Sequence, residues 1–227
     1  MREIQLLLLA FAPLVCTIAQ VNKPPVVTIE RPVTGTRIAA GVPVPYAIRV
    51  IDAEDGDSRF DEISTAEVVL LVVPLKDTAG SLTSRRKAEE MLPGLFRMRE
   101  ANCLTCHAAQ ATLIGPSLAK IAGRYSTAEV PSLARKVRSG GAGVWGDVAM
   151  PSHPDLSEDE ARTLVNWIIS AFTADVPVIQ TGSSGVFRVP ADRNAAGCLL
   201  VAGYRDHGVM DQGGAKTGSA TISVLIR

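Results

Sequence analysis

Neither sign of charge is in excess in this sequence: 23 Lys and Arg stand against 23 Asp and Glu in 227 residues. With no basic excess there is no footprint for a polyanion, which speaks against nucleic acid as a partner. Aromatics make up only 4%, low for a single large core and in keeping with small modules. A membrane-length apolar run is also lacking at the start. The stretch from Leu6 to Val15, behind Arg2, is too short to span a bilayer and has the length of a signal-peptide h-region. Thr17-Ile18-Ala19 offers small residues for cleavage, so residues 1–19 are expected to be a signal peptide and the mature chain exported, to the periplasm or beyond. Glu3 and the late Pro13 depart from that pattern. The other reading is a misassigned start, with Val26 to Glu30 as the first real strand.

Cysteine is scarce as well, four in all, and two of them sit in Cys103-Leu104-Thr105-Cys106-His107. C-x-x-C-H is the attachment motif of c-type haem. Two thiols at that spacing can each add to one vinyl group of a porphyrin, and the adjacent imidazole then lies under the iron. Met150, 43 residues after His107, would supply a thioether on the opposite face, and a His/Met pair raises the reduction potential. The plainer readings are a redox disulfide or half of a zinc site. No second Cys pair lies nearby, and no β-α-β pattern frames the motif. Cys16 falls in the expected signal segment. Cys198, alone in the apolar run Gly197 to Ala202, reads as a buried small hydrophobe.

Further landmarks follow in order. Leu95-Phe96 precede the motif, Gly115-Pro116 follow it, then come Gly143-Val144-Trp145-Gly146, Met150-Pro151 and an amphipathic stretch with Trp167. Residues 93–173 thereby resemble the short bacterial class I cytochromes c, small monohaem electron carriers. The resemblance implies one haem c held through Cys103 and Cys106, with His107 and Met150 as axial ligands. It also implies that the Pro116 carbonyl accepts the hydrogen bond of the proximal imidazole and that Trp145 contacts a haem propionate. His153, three residues past Met150, is the rival distal ligand and would lower the potential. Lys136 stands where the family often places a basic residue near the propionates, and a solvated helix face explains it equally well. Arg135 and Arg138 are expected at the surface.

On either side the pattern is β. Pro25 to Ile29, Val44 to Ile51 and Ala66 to Val73 read as strands, separated by turn residues, in a first segment 23–75. Residues 76–92, with Gly80-Ser81 and Arg85-Arg86, read as a linker. Helices are expected from Pro93 to Glu100, Pro116 to Ala122 and Pro131 to Arg138. A last one follows Ser157, which forms a capping-box pattern with Glu160. A second β segment, 178–227, carries strands at Gly185 to Val189, Cys198 to Tyr204 and Thr221 to Ile226. Either segment alone buries too little to be stable. Together they make one all-β sandwich, so the expected architecture is multidomain, an all-α cytochrome c domain inserted in or flanked by that sandwich. Two separate half-modules are the rival arrangement.

Asn22-Lys23-Pro24-Pro25-Val26 and Asp52-Ala53-Glu54-Asp55-Gly56 resemble Ig-like modules of the PKD type. Their pairing with this cytochrome, ahead of Tyr204-Arg205-Asp206-His207-Gly208, is similar to the tail of large exported glucose/sorbosone dehydrogenase-like proteins. Asp52, Glu54, Asp55 and Asp57 crowd oxygen donors as calcium requires, without EF-hand spacing; a solvated turn is the expectation. The function expected is electron carriage, with no catalytic residues, from a periplasmic dehydrogenase to an oxidase or another cytochrome. The alternatives are a carbohydrate-binding or adhesion module touching the cell surface, and a haem sensor or peroxidase with a displaceable distal ligand.

Overall fold

Five short strands precede the helices: β1 (Val26–Arg31), β2 (Arg37–Ile38), β3 (Pro43–Asp52), β4 (Gly56–Asp57) and β5 (Val69–Leu75). In β3, Val44, Tyr46, Ile48 and Val50 are buried and the residues between them are not, the period of two that a strand with one core face imposes. The computed structural model describes residues 21–76, 81–173, 176–189, 195–208 and 214–227. The expected signal peptide, with Cys16, lies outside the described residues.

Four helices and one hairpin follow: α1 (Ser81–Glu100), α2 (Leu118–Arg124), α3 (Val130–Ser139), β6 (Gly141–Gly143), β7 (Gly146–Met150) and α4 (Glu158–Ala171). The chain then returns to β structure in β8 (Val178–Thr181), β9 (Ser184–Arg188), β10 (Gly197–Arg205) and β11 (Thr217–Ile226). Among the described residues no helix is long and apolar enough to cross a membrane.

The strands before and after the helices share two sheets. In one, β3 pairs antiparallel with β1, β4 and β9. The other has the order β2-β11-β10-β5-β8, so β5 lies between two late strands, with Leu71 opposite both Val201 and Ile179. β5 and β10 are apolar almost without a break because both of their faces are covered. Leu70, Val72, Leu200 and Tyr204 face a core shared with the first sheet. Val69, Leu71, Leu199 and Val201 face the helices.

Helix α1 covers that second face, and it begins earlier than the sequence suggests. Residues 81–92 are helix, not linker. Arg85–Glu89 (2.9 Å) and Arg86–Glu90 (3.6 Å) are i,i+4 ion pairs, which support a helix. Ala88, Met91, Leu92 and Leu95 form its buried stripe. Pro93 sits inside the helix at an exposed position rather than at its start. Gly203 of β10 lets α1 approach: a Cβ there would meet Leu92 at 2.9 Å and Phe96 at 3.1 Å. The expected cap of α4 is present, with Ser157 Oγ accepting from the Glu160 amide at 3.2 Å.

The acidic loop after β3 is more enclosed than a solvated turn. Asp52 is buried, Asp57 pairs with Arg49 at 2.6 Å, and Asp55 accepts from the Tyr204 hydroxyl at 2.7 Å. Cys198 is fully buried, and burial pushes its thiol up to about 12.

The crossing of α1 and α4 is set by Gly94, since a Cβ there would run into the Trp167 indole. Gly94→Ala gains about 1 kcal/mol of helix propensity but overpacks this contact. The expected net result is a loss of about 1–3 kcal/mol, seen as a lower urea midpoint at unchanged m-value.

Candidate haem site

The site begins where α1 stops. Asn102 takes the left-handed conformation (φ 56°), which Asn tolerates better than most residues. Its amide bonds the Arg99 carbonyl at 2.8 Å. A short 3₁₀ turn, Cys103–Thr105, follows, and the amides of Cys106 and His107 both reach back to the Cys103 carbonyl (3.2 and 3.0 Å). That turn aims Cys103, Cys106 and His107 into one cavity of about 310 Å³, at the small end of the usual range for cofactor sites.

His107 is held in one orientation. Its Nδ1 lies 2.7 Å from the Pro116 carbonyl oxygen. A carbonyl only accepts, so Nδ1 carries the proton and Nε2 keeps its lone pair for a metal. Gly115 makes this geometry possible, since a Cβ there would stand 2.5 Å from His107 Cε1. Its amide also bonds the Cys106 carbonyl at 2.9 Å, closing the loop on itself. The buried Ser117 then caps α2 by accepting from the Lys120 amide at 3.2 Å.

The far wall comes from the glycine-rich hairpin β6–β7, in which Gly141 is opposite Met150. Gly140, at φ 73°, ends α3. A side chain there would meet the Met150 carbonyl at 2.7 Å, so glycine lets the helix end pass close to the methionine strand. Met150 is half-buried and lines the cavity, as do Pro116, Trp145 and Lys136. Met98 of α1, fully buried, lines it too. His153 is not among the lining residues; its amide is tied to the Val137 carbonyl at 3.1 Å.

Sequence reasoning missed two residues around Trp145. The Arg124 guanidinium lies 4.9 Å from its ring centre, a cation–π contact, and Tyr125 meets it edge-on at 6.2 Å. Some 20 residues separate these partners along the chain, so no local pattern announces them. Arg138, expected at the surface, is half-buried and donates through Nε to the Leu156 carbonyl at 2.8 Å.

The donor set fits a covalent haem better than the plainer readings. Burial pushes the Cys103 thiol up to about 11, the wrong direction for a disulfide-exchange nucleophile. Among the described residues no three His, Cys, Asp or Glu gather as a metal cluster, which leaves the half-zinc reading without a second half. The rest of the cavity is mostly apolar, with Leu118, Ile121, Leu164 and Ile168 on its walls.

Comparison with known proteins agrees. A family model described as Cytochrome c matches residues 95–171. The chain is 39% identical over 70 residues to cytochrome c-551 of Azotobacter vinelandii, covering 30% of this chain and 84% of that protein. It is 34% identical over 74 residues to cytochrome c-552 of Nitrosomonas europaea, covering 32% and 72%. A crystal structure of Nitrosomonas europaea cytochrome c552 is 32% identical over 33% of this chain and 95% of that one, with a TM-score of 0.32. Through this segment the chain belongs to the cytochrome c family. It is a monohaem electron carrier whose haem c is attached through the cysteines of its C-x-x-C-H motif.

Gly115→Ala tests the cradle under His107. It is expected to lower the haem-to-protein ratio of protein made with haem-c maturation factors, measured by pyridine haemochrome, while α-helical circular dichroism from α1 and α4 is kept.

Proposed function

We propose that the chain is an exported cytochrome with His107 and Met150 as its axial ligands, and that its helical segment, close to residues 81–173, is an insert in the β unit formed by the flanking segments. One observation carries the ligand assignment. Cys103, Cys106, His107 and Met150 line the same cavity, with the His107 ring already fixed by Pro116. Bound there, haem iron supplies a one-electron couple.

The chain's own residues do the rest. His107 donates Nδ1–H to Pro116, which makes Nε2 a more basic ligand. Met150 presents a thioether from the hairpin, a ligand that favours the reduced state. Cys103 and Cys106 fix the group covalently, while apolar side chains keep water off the iron. Trp145 is 40% exposed at the mouth of the cavity. Arg124 and Tyr125 pack against it, and its role here is to hydrogen-bond a propionate, with Lys136 lining the same cavity. A periplasmic dehydrogenase as donor and an oxidase or second cytochrome as acceptor fit this role.

The β unit offers little to the carbohydrate-binding alternative. Tyr46, Phe187 and Tyr204 are buried in its core, and Phe60, 73% exposed, is the ring left on its surface among those singled out. Its firmest task is to support α1.

The test is a redox titration of the holo protein. Met150→Ala is expected to lower the potential and open the iron to added ligands. Met98→Leu and His153→Gln should leave the potential within a few tens of millivolts of the parent, about a tenfold change in the equilibrium at most for a one-electron couple. A potential that falls with Met98→Leu or His153→Gln, and not with Met150→Ala, reassigns the distal ligand.

A further inference from the structure

Three side chains at one pole of the β unit each bury an oxygen that has no hydrogen-bond partner: Asp52 Oδ2, Asp206 Oδ2 and Asn22 Oδ1. The residues are 5%, 3% and 2% exposed. They come from three segments far apart in sequence, and short contacts tie those segments together.

Asp52 opens the turn after β3, and its Oδ1 accepts from the amides of Glu54 (2.9 Å) and Asp55 (2.8 Å). Asp55 reaches across to the end of β10. Its Oδ2 accepts from the Tyr204 hydroxyl at 2.7 Å and from the His207 amide at 3.1 Å, residues on either side of Asp206. Asp206 turns its own Oδ1 to the amides of Gly208 (3.0 Å) and Lys216 (2.6 Å). Asn22 Nδ2 donates to the Gly214 carbonyl at 3.2 Å, beside that same stretch.

Each of the two carboxylates has one oxygen fully used and the other idle. A buried carboxylate without compensation is costly, and two at one pole cost more, unless a cation lies between them. Two of the nearby positive groups already have carboxylate partners. His207 lies 3.1 Å from both Asp55 and Glu67, and Arg49 pairs with Asp57. All three idle atoms are hard oxygen acceptors, with no imidazole or thiolate among them. That is the chemistry of calcium rather than zinc or copper. Among the described residues no three acidic, His or Cys side chains form a ready-made cluster. The set is two carboxylates and an amide oxygen, and calcium completes such sets with main-chain carbonyls and water.

We infer that Asn22, Asp52 and Asp206 form a calcium site that pins the entry to β1, the turn after β3 and the end of β10 to one another. The inference stands apart from the haem reading and does not depend on its ligands.

The test is calorimetric titration of EDTA-treated holo protein with calcium chloride, alongside thermal unfolding. One site per chain is expected, with a dissociation constant of about 10⁻⁵–10⁻³ M and an unfolding midpoint that rises with calcium. Asp52→Asn and Asp206→Asn keep the Oδ1 acceptor that each turn needs. Each is expected to weaken calcium binding by about tenfold or more, with the haem spectrum unchanged. Asp159→Asn, at an exposed position of α4, should bind as the parent does. A parent that shows neither heat nor a midpoint shift up to about 10 mM calcium, or an affinity unmoved in both variants, overturns the site. Should either variant fail to fold, the parent titration alone decides.

Discussion

The burial of α1 between the five-stranded sheet and the haem cavity constrains both halves of the molecule. Leu92 and Phe96 press on Gly203 of β10, Gly94 receives the Trp167 indole of α4, and Met98 lines the cavity. One apolar cluster runs from Val69, Leu71, Leu199 and Val201 through α1 to Cys103, Leu118 and Leu164. A helix that buries so many sides cannot shift without disturbing either the sheet or the turn that carries the cysteines. The β unit thus supports the site mechanically, through close apolar packing. The haem segment in turn covers a sheet face that would otherwise expose apolar residues to water.

Within the site a second constraint works at shorter range. The Pro116 carbonyl fixes the tautomer of His107, and Gly115 leaves room for the ring. The hairpin that ends at Met150 is built around glycines, so its position relies on the end of α3 and on the Gly140 approach rather than on its own side chains. Electron carriage asks for this kind of rigidity. Ligands that hardly move between the two oxidation states keep the cost of reorganisation low.

What the sequence disclosed and what it withheld divide along local against distant interactions. C-x-x-C-H and the Ser157–Glu160 capping box are complete within a few residues, and their chemistry is legible there. The alternating run of β3 is legible for the same reason. The start of α1 was hidden by Gly80-Ser81 and a basic pair with the look of a linker. The Arg–Glu pairs at i,i+4 and the buried stripe of Ala88, Met91 and Leu92 were the signal that outweighed it. The β6–β7 hairpin gives no side-chain pattern because its key positions are glycine. Arg124 over Trp145 and the Tyr204 hydroxyl on Asp55 are tertiary events, made by segments that meet only in the fold. The acidic loop therefore read as solvent-facing although its first carboxylate is buried.

The central claim is that the iron is closed, with His107 on one face and Met150 on the other. It is tested most directly by the absorption spectrum of the oxidised protein, in the far-red region where a methionine sulfur bound to ferric iron gives a weak band. The account predicts that band in the parent and its disappearance in Met150→Ala. A parent spectrum without it would contradict the account and point to an open or differently ligated iron, suited to ligand sensing or peroxide chemistry rather than to carrying electrons.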